Sequence, residues 1–197
     1  MADIKSAYEI AMEKADQIPK ATGEELLKWK YTPEGEKLAA KYLKDDIDLA
    51  AELVKFAPDI SGFIVSGAIS ILVRNINLPR TDIIKKTNKR VMDGIKIIKK
   101  DKVAVENLFS QVRRLFSHYT EQGEQQRRQA YQQVKASFEA KIQQAIQQQM
   151  GSAAAGLKID VEKQPQFQEE WHKLLNQLDS QYIKLLEEYK QQLLEIK

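Results

Sequence analysis

Eight basic residues crowd one short stretch: Lys85, Lys86, Lys89, Arg90, Lys96, Lys99, Lys100 and Lys102. Wound into a helix, they lie opposite an apolar stripe of Ile83, Ile84, Val91, Ile95 and Ile98. Such a row suits phosphates, because each ammonium or guanidinium that meets a nucleic-acid backbone releases a condensed counterion. Residues 76–120 carry 11 Lys and Arg against 4 Asp and Glu, whereas residues 1–75 carry 10 against 13 and residues 121–197 carry 10 against 11. The positive charge is therefore local. No aromatic residues interleave the row for base stacking, and no helix-turn-helix accompanies it. The plainer reading is a solvated helix face. The chemical alternative is an anion or nucleic-acid site made by Lys85, Lys86, Lys89, Arg90, Lys96, Lys99 and Lys100.

Other motifs carry less. Glu169-x-x-His172 has the spacing of a carboxylate–histidine metal pair, but the other histidine, His118, has no glutamate three residues before it. The 151–156 run with Lys158 resembles a phosphate loop only in its glycines. Leu157 intervenes before the lysine and Ile159 stands where a hydroxyl is needed. Asp45-Asp46-x-Asp48 lacks the ligand spacing and glycine of a calcium loop and reads as a charged helix boundary. With no cysteine and two histidines, thiolate chemistry is excluded and nucleophile–base pairs are few. No catalytic residue, metal or cofactor is assigned.

The elements that must position these residues are helical. The chain has 197 residues, 43% hydrophobic and 30% charged, with 8 glycines, 5 prolines and some twenty glutamines, a composition that favours helix over sheet. A first helix is expected over 3–18, capped by Asp3, with Ile4, Tyr8, Ala11, Ala15 and Ile18 on one side. Thr22-Gly23-Glu24-Glu25 is a capping box that opens a short second helix, and Pro33 fits the first turn of a third. From 60 to 76 apolar residues lie all round, as in a buried helix, with a strand as the alternative. Thr81 or Asp82 caps the helix of the basic row, and Lys99 to Lys102 form a turn. From there to Met150 no proline occurs, which predicts one helix about 70 Å long at ~1.5 Å per residue.

The final segment opens at Pro165. Phe167, Trp171 and Leu174 recur eleven residues later as Leu178, Tyr182 and Leu185, and again as Tyr189, Leu193 and Ile196. This period of ~3.67 per turn gives a nearly straight apolar stripe that needs a partner. The preceding helix offers Thr120, Gly123, Tyr131, Val134, Phe138, Ile142, Ala145 and Ile146. A reversal around residue 158 pairs Phe138 with Leu178, Ile142 with Leu174, Val134 with Tyr182 and Tyr131 with Leu185. It also brings Arg127 and Arg128 near Glu187 and Glu188, and Glu124 near Lys190. Leu157, Ile159 and Val161 alternate with charged residues as in a short strand. They either fold back on the hairpin end or meet a partner.

Two runs, Asn75-Ile76-Asn77-Leu78-Pro79-Arg80 and Pro165-x-Phe167-Gln168-Glu169-Glu170-Trp171, resemble those of an uncharacterised family of bacterial helical proteins. The resemblance spans most of the chain and implies a bacterial cytoplasmic setting, without an activity. The hairpin is also similar in architecture to the helical arms of prefoldin-type chaperones and stalk subunits. The amino terminus lacks a signal-peptide pattern and the most apolar stretch is too short to span a bilayer, so a cytoplasmic protein is expected.

The resulting expectation is an all-α protein: an N-terminal helical domain over 1–101 and a projecting, coiled-coil-like antiparallel hairpin over 102–197, with its tip at about 151–164. The expected role is a non-enzymatic scaffold or adaptor that binds a protein partner or its own copies, with Leu157, Ile159 and Val161 as contact residues. Nucleic-acid binding by the basic helix is the alternative.

Overall fold

The computed structural model describes residues 21–45, 47–150 and 160–196. Among these, six α-helices and one 3-10 turn follow in order: α1 (Gly23–Lys44), α2 (Leu49–Val54), α3 (Pro58–Arg74), α4 (Asp82–Ile98), α5 (Lys102–Met150), the turn Val161–Lys163, and α6 (Pro165–Glu195). The fold class is all-α. The helix expected over 3–18 lies outside the described residues. The chain divides into two compact units, Met1–Ile69 and Ser70–Lys197. The division falls inside α3, and α4 packs against α5 within the second unit.

In the first unit the capping box forms as its residues predict. Thr22 N–H donates to Glu25 Oε2 at 2.8 Å, and Glu25 N–H donates to Thr22 Oγ1 at 3.2 Å. The helix so begun does not stop before Pro33. It runs through the proline as one element of 22 residues. Pro33 is exposed and so is Trp29, whose carbonyl loses its helical donor, so water can hydrate that carbonyl. Beyond it, Gly35 lets α1 touch α3 backbone to backbone. A Cβ on Gly35 would stand 1.9 Å from the Ile64 carbonyl oxygen, and one on Gly67 would stand 2.1 Å from that of Thr32. Leu38, Ala39, Tyr42, Leu49, Ile64, Ala68 and Ile69 are buried. The 60–76 stretch is thus mostly the buried helix its composition predicts, not a strand.

In the second unit, Ile76 and Leu78 are buried between α3 and α4 in sequence, and a buried side chain holds their segment. The amide of Asn88 accepts from Asn77 N–H at 2.9 Å and donates to Asn77 C=O at 2.6 Å, satisfying both groups of one peptide residue. Thr81 caps α4 through its Oγ1. Val91, Met92 and Ile95 turn inward, Ile84 and Ile98 are half-buried, and Ile83 is 77% exposed, so the inward stripe begins one turn later than the isoleucine spacing predicts.

α5 and α6 pack antiparallel. Val105, Leu108, Phe109, Val112, Leu115 and Tyr119 form the buried face of α5, and Phe167, Leu186 and Leu193 that of α6. Ring contacts define the register: Tyr119 meets Tyr182 at 5.1 Å, Tyr131 meets Trp171 at 5.1 Å, and Phe138 meets Phe167 at 5.6 Å. Tyr182 therefore sits beside residues 118–119 and not beside Val134, a displacement of about 15 residues or ~23 Å along α5. None of the expected cross-helix charge pairs forms. Arg128 pairs with Glu124 at 3.2 Å, Lys190 with Glu187 at 2.7 Å, and Arg127 with Asp179 at 3.5 Å. The reversal is asymmetric: the turn before α6 lies beside Lys135, whose ammonium pairs with Glu162 at 2.6 Å, while α5 continues to Met150.

Candidate functional site

The basic row does not form one surface. Lys85, Lys86, Lys89 and Lys100 are exposed and Arg90 is half-buried. Lys85 pairs with Asp82 at 2.9 Å. Lys96 reaches across to Glu106 at 2.5 Å, and Arg113 binds the same carboxylate. Lys99 leaves the row altogether. It is 9% exposed, and its ammonium donates to the carbonyls of Leu194, at 3.2 Å, and Ile196 at the end of α6. A cation is favoured there by the unpaired carbonyls of a helix C-terminus, although burial lowers the lysine's pKa. Between α4 and α5 a groove of about 450 Å³ remains, with Met92 and Phe116 among its apolar walls and Lys85, Lys89, Lys96 and Arg113 around it.

Of the tip residues, Leu157 and Ile159 lie outside the described residues. Val161 is 4% exposed and belongs to the 3-10 turn, where Asp160 caps by accepting from Glu162 N–H at 3.2 Å. At this position the chain forms a 3-10 turn packed against α5 and α6 and does not present a strand edge. Lys135, and then Tyr131, hydrogen-bond the Glu162 carboxyl and hold it below the ordinary glutamate range.

A buried polar cluster gathers around a residue that the sequence motifs do not include. Asp179, in mid-α6, is 1% exposed. Its Oδ2 accepts from Arg80 Nη2 at 2.7 Å and from the Tyr119 hydroxyl at 3.2 Å, and its Oδ1 stands 3.5 Å from Arg127 Nη1. Arg127 also lies over the Tyr119 ring, 4.1 Å from its centre, and donates to the Tyr119 carbonyl at 3.1 Å. Burial raises the Tyr119 pKa. Gly123 makes the room: a Cβ there would stand 3.1 Å from both Arg127 Nη1 and Tyr182 Oη. A carboxylate removed from water needs such saturation to be tolerated. The cluster fastens the 75–80 segment, α5 and α6 together. The signal for it was present in the sequence, since Asp179 falls in the α6 stripe between Leu175 and Leu186.

Beside this cluster, on the flank of α5 away from α4, a second groove of about 720 Å³ runs between α5 and α6. Leu115, Leu178, Leu185 and Tyr189 line it with four glutamines and Arg114. His118 Nδ1 lies 2.8 Å from the Tyr182 hydroxyl within it. Asp48 caps α2 by accepting from Ala50 and Ala51 N–H, at 3.0 and 3.2 Å. Glu169 pairs with Lys173 at 2.7 Å, and His172 is exposed. Asp46 and the 151–156 run lie outside the described residues. Among the described residues, no group of three or more His, Asp or Glu is placed to hold a metal ion, and no helix is long and apolar enough to cross a membrane.

These features define a helical protein whose long antiparallel pair is bound by aromatic contacts and a buried, arginine-saturated carboxylate. Residues 50–195 match the model of a family of unknown function (DUF6657), and the chain belongs to that family. The match takes in both runs that suggested an uncharacterised family. In the fold those runs supply Arg80, Phe167 and Trp171 to the contacts that hold α5 and α6. No curated protein and no solved structure matches the chain.

Proposed function

We propose that the chain is a non-enzymatic cytoplasmic scaffold or adaptor that binds another macromolecule through its α5–α6 pair. The observation that carries this reading is the far end of α5. Phe138 already meets Phe167, two residues after α6 begins, yet α5 extends twelve residues further, about 18 Å, to Met150. That extension carries half-exposed Ile142 and Ile146 among exposed glutamines. An amphipathic stretch past the start of its partner helix suits helix-in-groove capture by a second protein. The test is a purified-chain pull-down comparing wild type with the Ile142→Asp/Ile146→Asp double variant. The reading requires loss of the wild-type partner with helicity and melting temperature retained. Capture of the same partner by a folded double variant would contradict it.

A second reading, nucleic-acid binding, rests on the exposure of Lys85, Lys86 and Lys89 on α4. It requires salt-sensitive shifts of generic DNA or RNA that the triple Lys→Glu variant abolishes. The withdrawal of Lys99 and the pairing of Lys96 weigh against it.

A further inference from the structure

The groove between α5 and α6 has a lining that suits its own copy. Tyr182 contacts both His118 and Tyr119, so the levels 118–119 on α5 and 181–182 on α6 coincide. About that common level part of the lining is symmetric, while Arg114, Leu115, His118, Gln177 and Tyr189 have no counterpart in it. Gln111 and Gln126 stand equally far to either side on α5, and Leu178 and Leu185 do so on α6. We propose that a second copy of the chain docks face to face in this groove, about a two-fold axis that crosses the helices at the level of His118 and Tyr182.

This operation sets each α5 against the partner's α5 and each α6 against the partner's α6, antiparallel. Gln111 then meets Gln126 of the other copy, and Leu178 meets its Leu185. A carboxamide both donates and accepts, so glutamine pairs are self-complementary, as an isologous interface requires. Charge points the same way. Among the described residues Arg114 is the only Lys, Arg, Asp or Glu in the lining, so an acidic partner finds one cation there and a basic partner finds no anion. The two copies of Arg114 stand about 13 Å apart along the helices, beyond a Debye length of ~8 Å. The apolar stripe of α6 is also broader than one neighbour can cover. Leu174, Leu178, Leu185 and Tyr189 stay half-exposed beside α5. A second helical pair laid over them makes a four-helix layer of ordinary design.

The chain has no cysteine, so single substitutions report the contact directly. Gln181→Cys lies on the axis, and Lys184→Cys is exposed and outside the groove. The full chain should sediment at twice 22.6 kDa, Gln181→Cys should form a disulfide-linked dimer under mild oxidation, and Lys184→Cys should not. Gln181→Glu sets two like charges together on an exposed position and should raise the dimer dissociation constant at least tenfold with helicity unchanged. A folded wild-type chain that stays at 22.6 kDa throughout a concentration series would overturn the proposal, and so would preferential cross-linking through Lys184→Cys. The inference goes beyond the adaptor reading. A dimer that keeps its mass while the Ile142/Ile146 variant retains its partner leaves this proposal standing and removes that one.

Discussion

Arg80 donates to the carboxylate of Asp179 at 2.7 Å across 99 positions of sequence. The arginine is half-exposed and the aspartate is almost fully buried. The two partners are therefore unequal, and substitution should reveal it. Asp179→Ala strands the Arg127 guanidinium and the Tyr119 hydroxyl inside the seam, and loss of one partner from a buried pair costs about 3–5 kcal/mol. Arg80→Ala leaves Asp179 with two donors, and solvent already screens the arginine, so a loss of about 1–2 kcal/mol is expected. Urea midpoints at neutral pH measure both. Equal losses would mean that Arg127 and Tyr119 do not support the carboxylate.

Two glycines should answer differently to alanine. At Gly35 the new methyl would meet the Ile64 carbonyl oxygen at 1.9 Å, and backbone cannot step aside without parting α1 from α3. Overpacking of this kind costs about 3 kcal/mol or more. At Gly123 the nearest atoms are the far ends of Arg127 and Tyr182 at 3.1 Å, which can give way. The gain in helix propensity, about 1 kcal/mol, offsets their shift. Thermal melts should show Gly35→Ala strongly destabilised and Gly123→Ala within about 1 kcal/mol of wild type.

Acid should loosen the turn before α6. The Glu162 carboxyl is held below its ordinary range by Lys135 and then Tyr131, and the Glu106 carboxyl by Lys96 and then Arg113. A carboxyl with a depressed folded pKa binds fewer protons folded than unfolded. Its contribution is complete above the unfolded value, ~4.3, and is lost as pH falls through the lower folded value. Melting temperature against pH should show wild type above Glu162→Gln at pH 7, with the two curves converging below pH ~4. A constant offset into strong acid would refute the assignment.

The helix content was legible because local chemistry decides it. The Thr22 capping box, the Lys99–Lys102 turn, the proline-free stretch to Met150 and Pro165 at a helix start each act over a few residues, and each stands where the sequence places it. Pro33 was misleading because the donor it removes and the Trp29 carbonyl its ring crowds both lie on an exposed face. The register of α5 against α6 was not legible. An eleven-residue repeat fixes which face is buried, but sliding by a repeat restores nearly the same face, and the asymmetric reversal removes the midpoint as a guide. What breaks that degeneracy is Asp179, a buried carboxylate in the stripe, which fits where Arg80, Tyr119 and Arg127 converge. Lys99 was placed on the basic face because its role depends on where α6 ends.

The seam itself is best tested by distances between paired spin labels, which the cysteine-free chain accepts without background. One label at Tyr182 is combined in turn with a second at His118 and at Val134. The account predicts that the 118–182 distance is shorter by about 15 Å than the 134–182 distance, since an axial offset of ~23 Å combines with the ~9 Å between neighbouring helix axes. A shorter distance from Val134 would contradict the register and, with it, the burial of Asp179 between Arg80 and Arg127.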